Sequence, residues 1–224
     1  SLSKLDLSNN LITGTIPETL GSAQEMKLLD LSFNQLWGEL PEQAMANLKE
    51  LRVLQLSHNK LNSEIPRAMW GKMGKLVSVA MAEAGLTGKI PAEIGMAKTL
   101  RYLDLRGNKL EGGVPIALGE LPRMYEMDLS SNKLAGELPF SAAFMERMGR
   151  NLRLGRNEAL CGNPNSVSAV ARLSPPTSHH DPQQLHHHSH HRHHVVMDQS
   201  AEEGDDDDDD DGSIAPCVKS ASWP

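Results

Sequence analysis

The chain of 224 residues has few aromatic residues, few cysteines and no long apolar stretch. Aromatic residues make up 4% of the sequence and cysteine occurs twice, so neither an aromatic-rich core nor a dense disulfide framework organises the fold. No run of 18 apolar residues is present, so no segment of this sequence is expected to span a membrane. The sequence also has no Asn-x-Ser/Thr glycosylation site and no apolar signal segment at its start.

Signatures of catalysis are missing as well. The sequence has no dinucleotide-binding G-x-G-x-x-G, no P-loop, no nucleophile elbow G-x-S-x-G and no kinase H-R-D or D-F-G set. His58 is the one histidine before residue 166. A lone histidine without a partner nucleophile or metal ligands is typical of a surface residue. We therefore expect no enzyme activity, no cofactor and no metal site.

Charge divides the chain into two regions. Residues 1–165 contain 19 Lys and Arg against 18 Asp and Glu, whereas residues 166–224 contain 3 against 11. The net charge of −7 therefore comes from the C-terminal region. We predict one folded domain over 1–165 and a low-complexity, disordered tail over 166–224. The balanced charge of the domain argues against a nucleic-acid partner, which requires a concentrated basic face.

The predicted tail is rich in histidine and aspartate. Nine of the ten histidines lie there, ahead of seven consecutive aspartates at 205–211. Imidazoles bind transition metals, but no fixed ligand spacing selects a coordination geometry in this stretch. The main expectation is a tail without a metal site, and sensing of metal or pH by the histidines is the alternative.

The rest of the sequence consists of one unit repeated six times. LDLSNNLITGTIP at residues 5–17 returns as LDLSFNQLWGELP, LQLSHNKLNSEIP, VAMAEAGLTGKIP, LDLRGNKLEGGVP and LDLSSNKLAGELP. A fixed period of 24 or 25 residues indicates a solenoid, in which each unit buries its apolar face against its neighbours. The period is read from the closing prolines Pro17, Pro41, Pro66, Pro91, Pro115 and Pro139.

Each fixed letter of the unit has a physical reason. Alternating leucines such as Leu5 and Leu7 predict a short strand, and successive strands stack into a parallel sheet. A glycine and then a proline follow, which suits a turn and the start of a return segment. The return is too short for a long helix, so single helical turns or 3₁₀ pieces are expected.

Asparagine recurs where the chain turns after each strand. A buried amide there can satisfy backbone groups of its own coil and of the adjacent coil, which cost about 1–3 kcal/mol if unpaired. We predict a structural asparagine ladder, with a local weakness or a bridging water where Ala84 replaces asparagine. Its predicted members are Asn10, Asn34, Asn59, Asn108, Asn132 and Asn157.

These units resemble the plant-specific class of leucine-rich repeats, and the resemblance covers about residues 1–163. It implies an α/β fold: a right-handed leucine-rich repeat horseshoe with a parallel concave β-sheet and short helical or 3₁₀ returns. The NEALCG ending at 157–162 resembles the C-terminal cap of plant receptor ectodomains. Residues 138–154 resemble receptor-like proteins that lack a kinase, including relatives of Too Many Mouths and of Piriformospora indica-insensitive protein 2.

The resemblance also bears on the two cysteines and on the cellular location. The family's cap normally uses a cysteine pair, and an exported protein favours a disulfide between Cys161 and Cys217. Two free thiols are the alternative. The expected location is extracellular or at the cell surface, although the missing glycosylation site departs from the family. Because the sequence begins inside a repeat, we interpret it as a fragment.

A binding surface is expected on the concave strand face, at the sequence positions between the leucines. Aromatic residues and arginine are enriched among interface anchors. The aspartates at this face also have a purely structural interpretation, in which they support the strand edge. Seven strands about 4.8 Å apart present only about 460 Å² in projection, less than the roughly 800 Å² of a standard interface. The candidate partner-binding residues are Phe33, His58, Tyr102, Arg106, Asp30, Asp104 and Asp128.

The sequence therefore predicts a non-catalytic module of a plant receptor-like protein, acting in signalling or defence. Its partner is expected to be a protein or peptide ligand, including a receptor-kinase co-receptor. Three alternatives stay open: an enzyme inhibitor resembling polygalacturonase inhibitors, the truncated ectodomain of a leucine-rich repeat receptor kinase, and a decayed gene product.

Overall fold

The computed structural model describes residues 2–162 together with Ile214 and Cys217. Over this part of the chain, short strands alternate with short helical segments. In chain order the strands are β1 (Lys4–Asp6), β2 (Thr13–Gly14), β3 (Leu28–Asp30), β4 (Gln35–Leu36), β5 (Val53–Gln55), β6 (Ser78–Ala80), β7 (Tyr102–Asp104), β8 (Glu111–Gly112), β9 (Glu126–Asp128), β10 (Lys133–Glu137), β11 (Leu152–Arg153) and β12 (Ala159–Cys161).

Seven of these strands form one parallel sheet. β1, β3, β5, β6, β7, β9 and β11 lie side by side in that order. The strand leucines keep a common register, since Leu5 pairs with Leu29 and Leu29 with Leu54. Leu29 and Leu54 are fully buried, so one face of the sheet lines the core. The predicted leucine-rich repeat solenoid with its parallel sheet is confirmed.

A second row of parallel pairings lies beyond the asparagine turn. β2 pairs with β4, and β8, β10 and β12 form a three-stranded sheet. Single bridges between Trp37 and Lys60 and between Glu64 and Thr87 continue this row. The sequence analysis did not predict the second row, because segments of two to five residues are too short to show an alternating pattern.

The coils return through short helical segments, as predicted. These are α1 (Glu42–Asn47), α2 (Ala68–Lys72), α3 (Ile116–Gly119), α4 (Ala142–Met148) and three 3₁₀ helices at Glu18–Ser22, Ala92–Met96 and Gly149–Asn151. Pro41 precedes α1 and Pro115 precedes α3, both with extended backbone. Proline suits this place because its φ is preset and its missing N–H would have no helical acceptor. No helix in the described part of the chain is long and apolar enough to cross a bilayer.

Asparagine side chains join each coil to the one before it. The Nδ2 group of Asn59 donates to the carbonyl oxygens of Leu31 and Leu56, both at 3.0 Å. Its Oδ1 accepts from the backbone N–H of Leu36 at 3.0 Å. One buried side chain therefore satisfies three buried backbone groups on two coils. Equivalent bonds to the preceding coil are made by Asn34, Asn108, Asn132 and Asn157.

The first member of the predicted ladder differs from the others. Asn10 is exposed, and its Nδ2 donates to the carbonyl oxygens of Leu7 and Ser8 in its own coil. The expectation of a buried amide is therefore wrong at Asn10. The backbone N–H of Asn10 donates to the carbonyl oxygen of Phe33 in the next coil at 3.1 Å, as that of Asn34 does to His58 at 3.2 Å.

The coil that has Ala84 in place of asparagine is joined to the preceding coil by a backbone hydrogen bond. The N–H of Leu61, which an asparagine at position 84 would accept, donates to the carbonyl oxygen of Ala84 itself at 2.9 Å. Gly85 follows with φ +76°, a backbone conformation that glycine adopts without strain. Asn108 accepts from the N–H groups of both Ala84 and Leu86. Protein atoms thus make the connection for which a bridging water was expected.

The last coil is joined to a residue beyond position 165. Cys161 and Cys217 form a disulfide across 56 positions, and the N–H of Cys217 donates to the Gly162 carbonyl oxygen at 3.2 Å. Ile214 packs against the hydrophobic core. The remaining predictions for the tail, namely disorder and a role for its histidines and aspartates, lie outside the described residues.

Substitution of one ladder asparagine tests the energetic role of these bonds. We expect Asn59→Ala to lower the free energy of unfolding by about 1–3 kcal/mol, because Leu36 N–H and the Leu31 carbonyl lose a buried partner. Urea unfolding followed by circular dichroism measures the change. The exposed Asn47→Ala variant is the control and should change stability by less than about 0.5 kcal/mol. Equal stability of the two variants would contradict the structural role.

Close packing of adjacent return segments gives a second stability test. A Cβ built on Gly95 would lie 2.5 Å from the Cβ of Ala117, whereas a Cβ on Gly74 would meet nothing within 4 Å. We expect Gly95→Ala to destabilise the fold by about 1–3 kcal/mol through overpacking. Gly74→Ala should be neutral or slightly stabilising. Thermal unfolding of both variants measures the difference, and a stable Gly95→Ala protein would show that the coils separate easily.

Candidate ligand-binding surface

The exposed side chains of the sheet fall into rows, because equivalent positions of successive coils lie side by side. Strand register aligns Tyr102 with Ser78 and with Glu126, and Asp104 with Ala80 and with Asp128. A further row precedes the ladder asparagines, where backbone φ is positive in each described coil. This turn row consists of Asn9 (φ 56°), Phe33 (φ 53°), His58 (φ 55°), Glu83 (φ 50°), Gly107 (φ 67°), Ser131 (φ 54°) and Arg156 (φ 56°).

His58 contacts two other members of the turn row, Phe33 and Glu83. The ring of Phe33 stacks on that of His58, with centroids 4.2 Å apart and planes inclined by 19°. Nδ1 of His58 lies 3.3 Å from Oε2 of Glu83. Phe33 is 42% exposed, so the stack is open to solvent along one side. The predicted pair Phe33 and His58 is therefore brought together, and Glu83 joins it as a residue that the sequence analysis did not select.

Arginine and acidic side chains form a second group on the three coils that follow that of Glu83. Nη1 of Arg153 lies 3.0 Å from Oε1 of Glu126 and 3.5 Å from Oδ2 of Asp128. Nη1 of Arg106 lies 3.7 Å from Oδ2 of Asp104 and 4.0 Å from Oδ2 of Asp128. Two exposed guanidinium groups thus share one buried carboxylate. Arg153 was not predicted as a site residue, since it stands in the degenerate seventh unit.

Tyr102 belongs to neither of these groups. Its ring packs edge-on against that of Tyr125, with centroids 5.6 Å apart and planes inclined by 66°. Both tyrosines are exposed, and Tyr125 immediately precedes β9. The structure therefore distributes the four predicted anchors over three places: the Phe33–His58 stack, the Tyr102–Tyr125 pair and the Arg106 carboxylate cluster.

The strand aspartates mainly shape the turn that follows them. Oδ1 of Asp30 accepts from the N–H of Ser32 at 2.9 Å and from its hydroxyl at 2.6 Å. Asp128 makes the same pair of bonds with Ser130. Such local bonds from an aspartate to a backbone group two residues on are typical of Asx turns. At 4% exposure Asp128 is buried, so its predicted place on the open binding face is wrong.

Hydrogen bonding lowers the pKa of one strand aspartate, and burial raises the pKa of another. The pKa of Asp6 is lowered, first by the hydrogen bond from the Ser8 N–H and second by the Ser8 hydroxyl. The pKa of Asp104 is raised by burial, against the opposing effect of the Arg106 N–H that donates to it at 3.1 Å. Asp104 therefore exchanges its proton closer to neutral pH than an exposed aspartate does.

The middle of the concave sheet has short side chains. Ser78 and Ala80 on β6 and Ala82 just after it are flanked by Gln55 on one neighbouring strand and by Tyr102 on the other. This geometry suits surface recognition, because a shallow floor lies between the longer side chains of Gln55 and Tyr102. Within residues 2–162, 214 and 217, no three His, Cys, Asp or Glu side chains are grouped to hold a metal ion.

A polar depression lies at the turn row, whose members Glu83 and Gly107 line part of it. It has a volume of about 400 Å³ and is open to solvent. We call it the notch. The sequence analysis missed it, because it arises where glycines stand in positions that bear side chains in other coils. Its lining residues are Asn59, Lys60, Asn62, Glu83, Gly85, Gly107 and Lys109.

Comparison with known protein families identifies the repeat. Two leucine-rich repeat family models match, one over residues 1–61 and the other over residues 99–121. Comparison with curated protein sequences finds no match.

Several solved plant receptor structures are similar to the chain. A complex of the plant peptide hormone receptor RGFR1 with RGF2 is 29% identical, with a TM-score of 0.63, over 72% of this chain and 25% of that chain. The ectodomain of the membrane receptor kinase GASSHO1/SCHENGEN3 from Arabidopsis thaliana, in complex with CASPARIAN STRIP INTEGRITY FACTOR 2, is 30% identical, with a TM-score of 0.63, over 73% of this chain and 19% of that chain.

A shorter receptor structure is matched over most of its length. Pollen Receptor Kinase 3 is 29% identical, with a TM-score of 0.63, over 72% of this chain and 76% of that chain. By contrast, the chain spans a quarter or less of the RGFR1 and GASSHO1/SCHENGEN3 chains. The repeats, the sheet and these similarities together show a leucine-rich repeat protein that is structurally similar to the ectodomains of plant leucine-rich repeat receptors.

Proposed function

We propose that residues 1–165 form a non-catalytic module that recognises a protein or peptide at the plant cell surface, in signalling or defence. The observation that carries the proposal is the solvent face of the parallel sheet, where Phe33, His58, Tyr102 and Arg106 stand around a floor of short side chains. Aromatic and arginine side chains are the residue types enriched at interface hot spots. A rigid sheet holds them in place at little entropic cost on binding.

Two of the similar structures support a peptide as the ligand class. Each is a receptor in complex with a second molecule, and the RGFR1 structure is that of a peptide hormone receptor. The shallow floor over β6 suits an extended chain better than a small molecule, because small-molecule sites are usually deep and mostly apolar. An extracellular setting also agrees with the Cys161–Cys217 disulfide, since such bonds persist in oxidising compartments.

Within plant receptors we propose the kind of receptor-like protein that lacks a kinase, on the resemblance of residues 138–154. The other candidate is the ectodomain of a receptor kinase, which the similarity to GASSHO1/SCHENGEN3 and to Pollen Receptor Kinase 3 favours. Sequencing of the transcript beyond Pro224 separates the two. A kinase-encoding segment in the same reading frame would overturn the first and support the second.

Substitution of the four anchors tests the assigned face. The tagged full chain, secreted from plant cells, is incubated with extracellular fluid, and captured partners are quantified by mass spectrometry. We expect the Phe33→Ala, His58→Ala, Tyr102→Ala and Arg106→Ala combination to reduce capture of a specific partner at least tenfold, which corresponds to about 1.4 kcal/mol.

A control variant on the opposite side of the solenoid completes this test. Met96 and Ile116 are exposed on the helical returns, away from the sheet. The Met96→Ala and Ile116→Ala double variant should capture the same partner as the unchanged chain. Equal capture by the four-anchor variant, or loss confined to the control variant, would reject the concave face as the recognition surface.

A further inference from the structure

The notch differs from the rest of the surface because two adjacent coils lack a side chain there. Lys60, Gly85 and Lys109 occupy the same position in three successive coils, directly after the ladder position. Gly107 belongs to the turn row, where the preceding coil has Glu83. The missing side chains at Gly85 and Gly107 open a space that no other pair of described coils has at these positions.

Backbone at the floor of the notch is polar. A Cβ on Gly85 would lie 3.3 Å from the backbone nitrogen of Asn62 and 3.7 Å from that of Leu61. Leu61 N–H already donates to the carbonyl oxygen of Ala84. The glycine therefore leaves the Asn62 amide nitrogen uncovered by any side chain at position 85.

Lysines stand on both sides of this floor. Lys60 and Lys109 are exposed and belong to coils on either side of Gly85, so their backbones are about 10 Å apart, two strand spacings. Their flexible stems can bring both ammonium groups to one acidic group between them. Glu83 is the one acidic residue lining the notch, and its Oε2 lies 3.3 Å from Nδ1 of His58, on the side of the turn row.

We propose that the notch is a subsite for an acidic side chain of the peptide or protein recognised by this module. The subsite rests on the proposed recognition function and adds a contact beyond the concave face. A carboxylate there pairs with Lys60 and Lys109 and accepts from the backbone at Asn62. The notch is open to solvent, and its volume of about 400 Å³ leaves room for one acidic side chain.

The same edge of the solenoid offers further contacts to such a partner. The Phe33–His58 stack borders the notch through Glu83. Trp37, 55% exposed, lies in the second row of pairings, bridged to Lys60. An acidic residue that enters the notch therefore lies next to exposed aromatic surface. Protein interfaces commonly combine polar contacts with apolar contacts in this way.

Nuclear magnetic resonance on the ¹⁵N-labelled full chain tests the subsite without a known ligand. The probe is the blocked hexapeptide Gly-Gly-Glu-Glu-Gly-Gly, and the uncharged Gly-Gly-Gln-Gln-Gly-Gly is its control. We expect the acidic peptide to shift the amide signals of Gly85 and Gly107 with saturation, and the control peptide to leave them unchanged. Shifts spread evenly over all exposed lysines would overturn the proposal, since they indicate nonspecific attraction of charge.

Three variants sharpen the result. The Lys60→Ala and Lys109→Ala double variant should weaken the acidic peptide about tenfold or more, which corresponds to about 1.4 kcal/mol. Lys133→Ala is the matched control, because Lys133 has the same place in the next coil and does not line the notch. Gly85→Asn fills the notch with a residue that tolerates positive φ, and it should also abolish the shifts. Equal binding by the double variant and the Lys133→Ala control would reject the subsite.

The peptide experiment distinguishes failure of the notch subsite from failure of the proposed recognition function. Saturable shifts at Tyr102 and Arg106 without shifts at Gly85 would reject the notch and leave the concave face as the binding surface. Shifts at Gly85 and Gly107 that depend on Lys60 and Lys109, combined with no partner lost by the four-anchor variant, would retain the notch and reject the concave face.

Discussion

The structure depends on one constraint: each coil must satisfy the buried backbone of the coil before it. The asparagine amides meet this requirement at five interfaces, on both sides of the Ala84 coil. Each amide accepts a backbone N–H of the preceding coil and donates to carbonyl oxygens of that coil and its own. Ala84 shows that the requirement concerns the backbone group and not the residue type. Its own carbonyl oxygen accepts the N–H of Leu61, so the sheet continues without interruption.

The turn before each ladder position also determines which side chains are accessible to a partner. The residue before each ladder position has positive φ, which directs its side chain away from the strand and into a row along the rim. His58 contacts both Phe33 and Glu83 because it lies between them in this row. Recognition on this fold therefore combines residues about 25 positions apart in sequence, and one side chain per coil can vary without disturbing the core.

The irregular coil connects stability with function. Position 84 lacks asparagine, position 85 is a glycine with φ +76°, and position 107 is also glycine. These departures from the repeat keep the backbone paired and leave the notch between Lys60 and Lys109. A regular asparagine unit with lysine at position 85 would close this space. The notch thus lies where two neighbouring coils depart from the repeat.

The sequence by itself determined the solenoid, because a period of 24 or 25 residues with fixed leucine, asparagine and proline allows each coil only one way to bury its apolar side. It also selected Phe33, Tyr102 and Arg106, which are exposed, and His58, which is half-buried. The tertiary structure decided which of these side chains contact one another. Stacking placed Phe33 on His58, and burial beneath Arg106 and Arg153 removed Asp128 from the surface. The notch follows from the missing side chains at Gly85 and Gly107 and from lysines on neighbouring coils, which no single repeat contains.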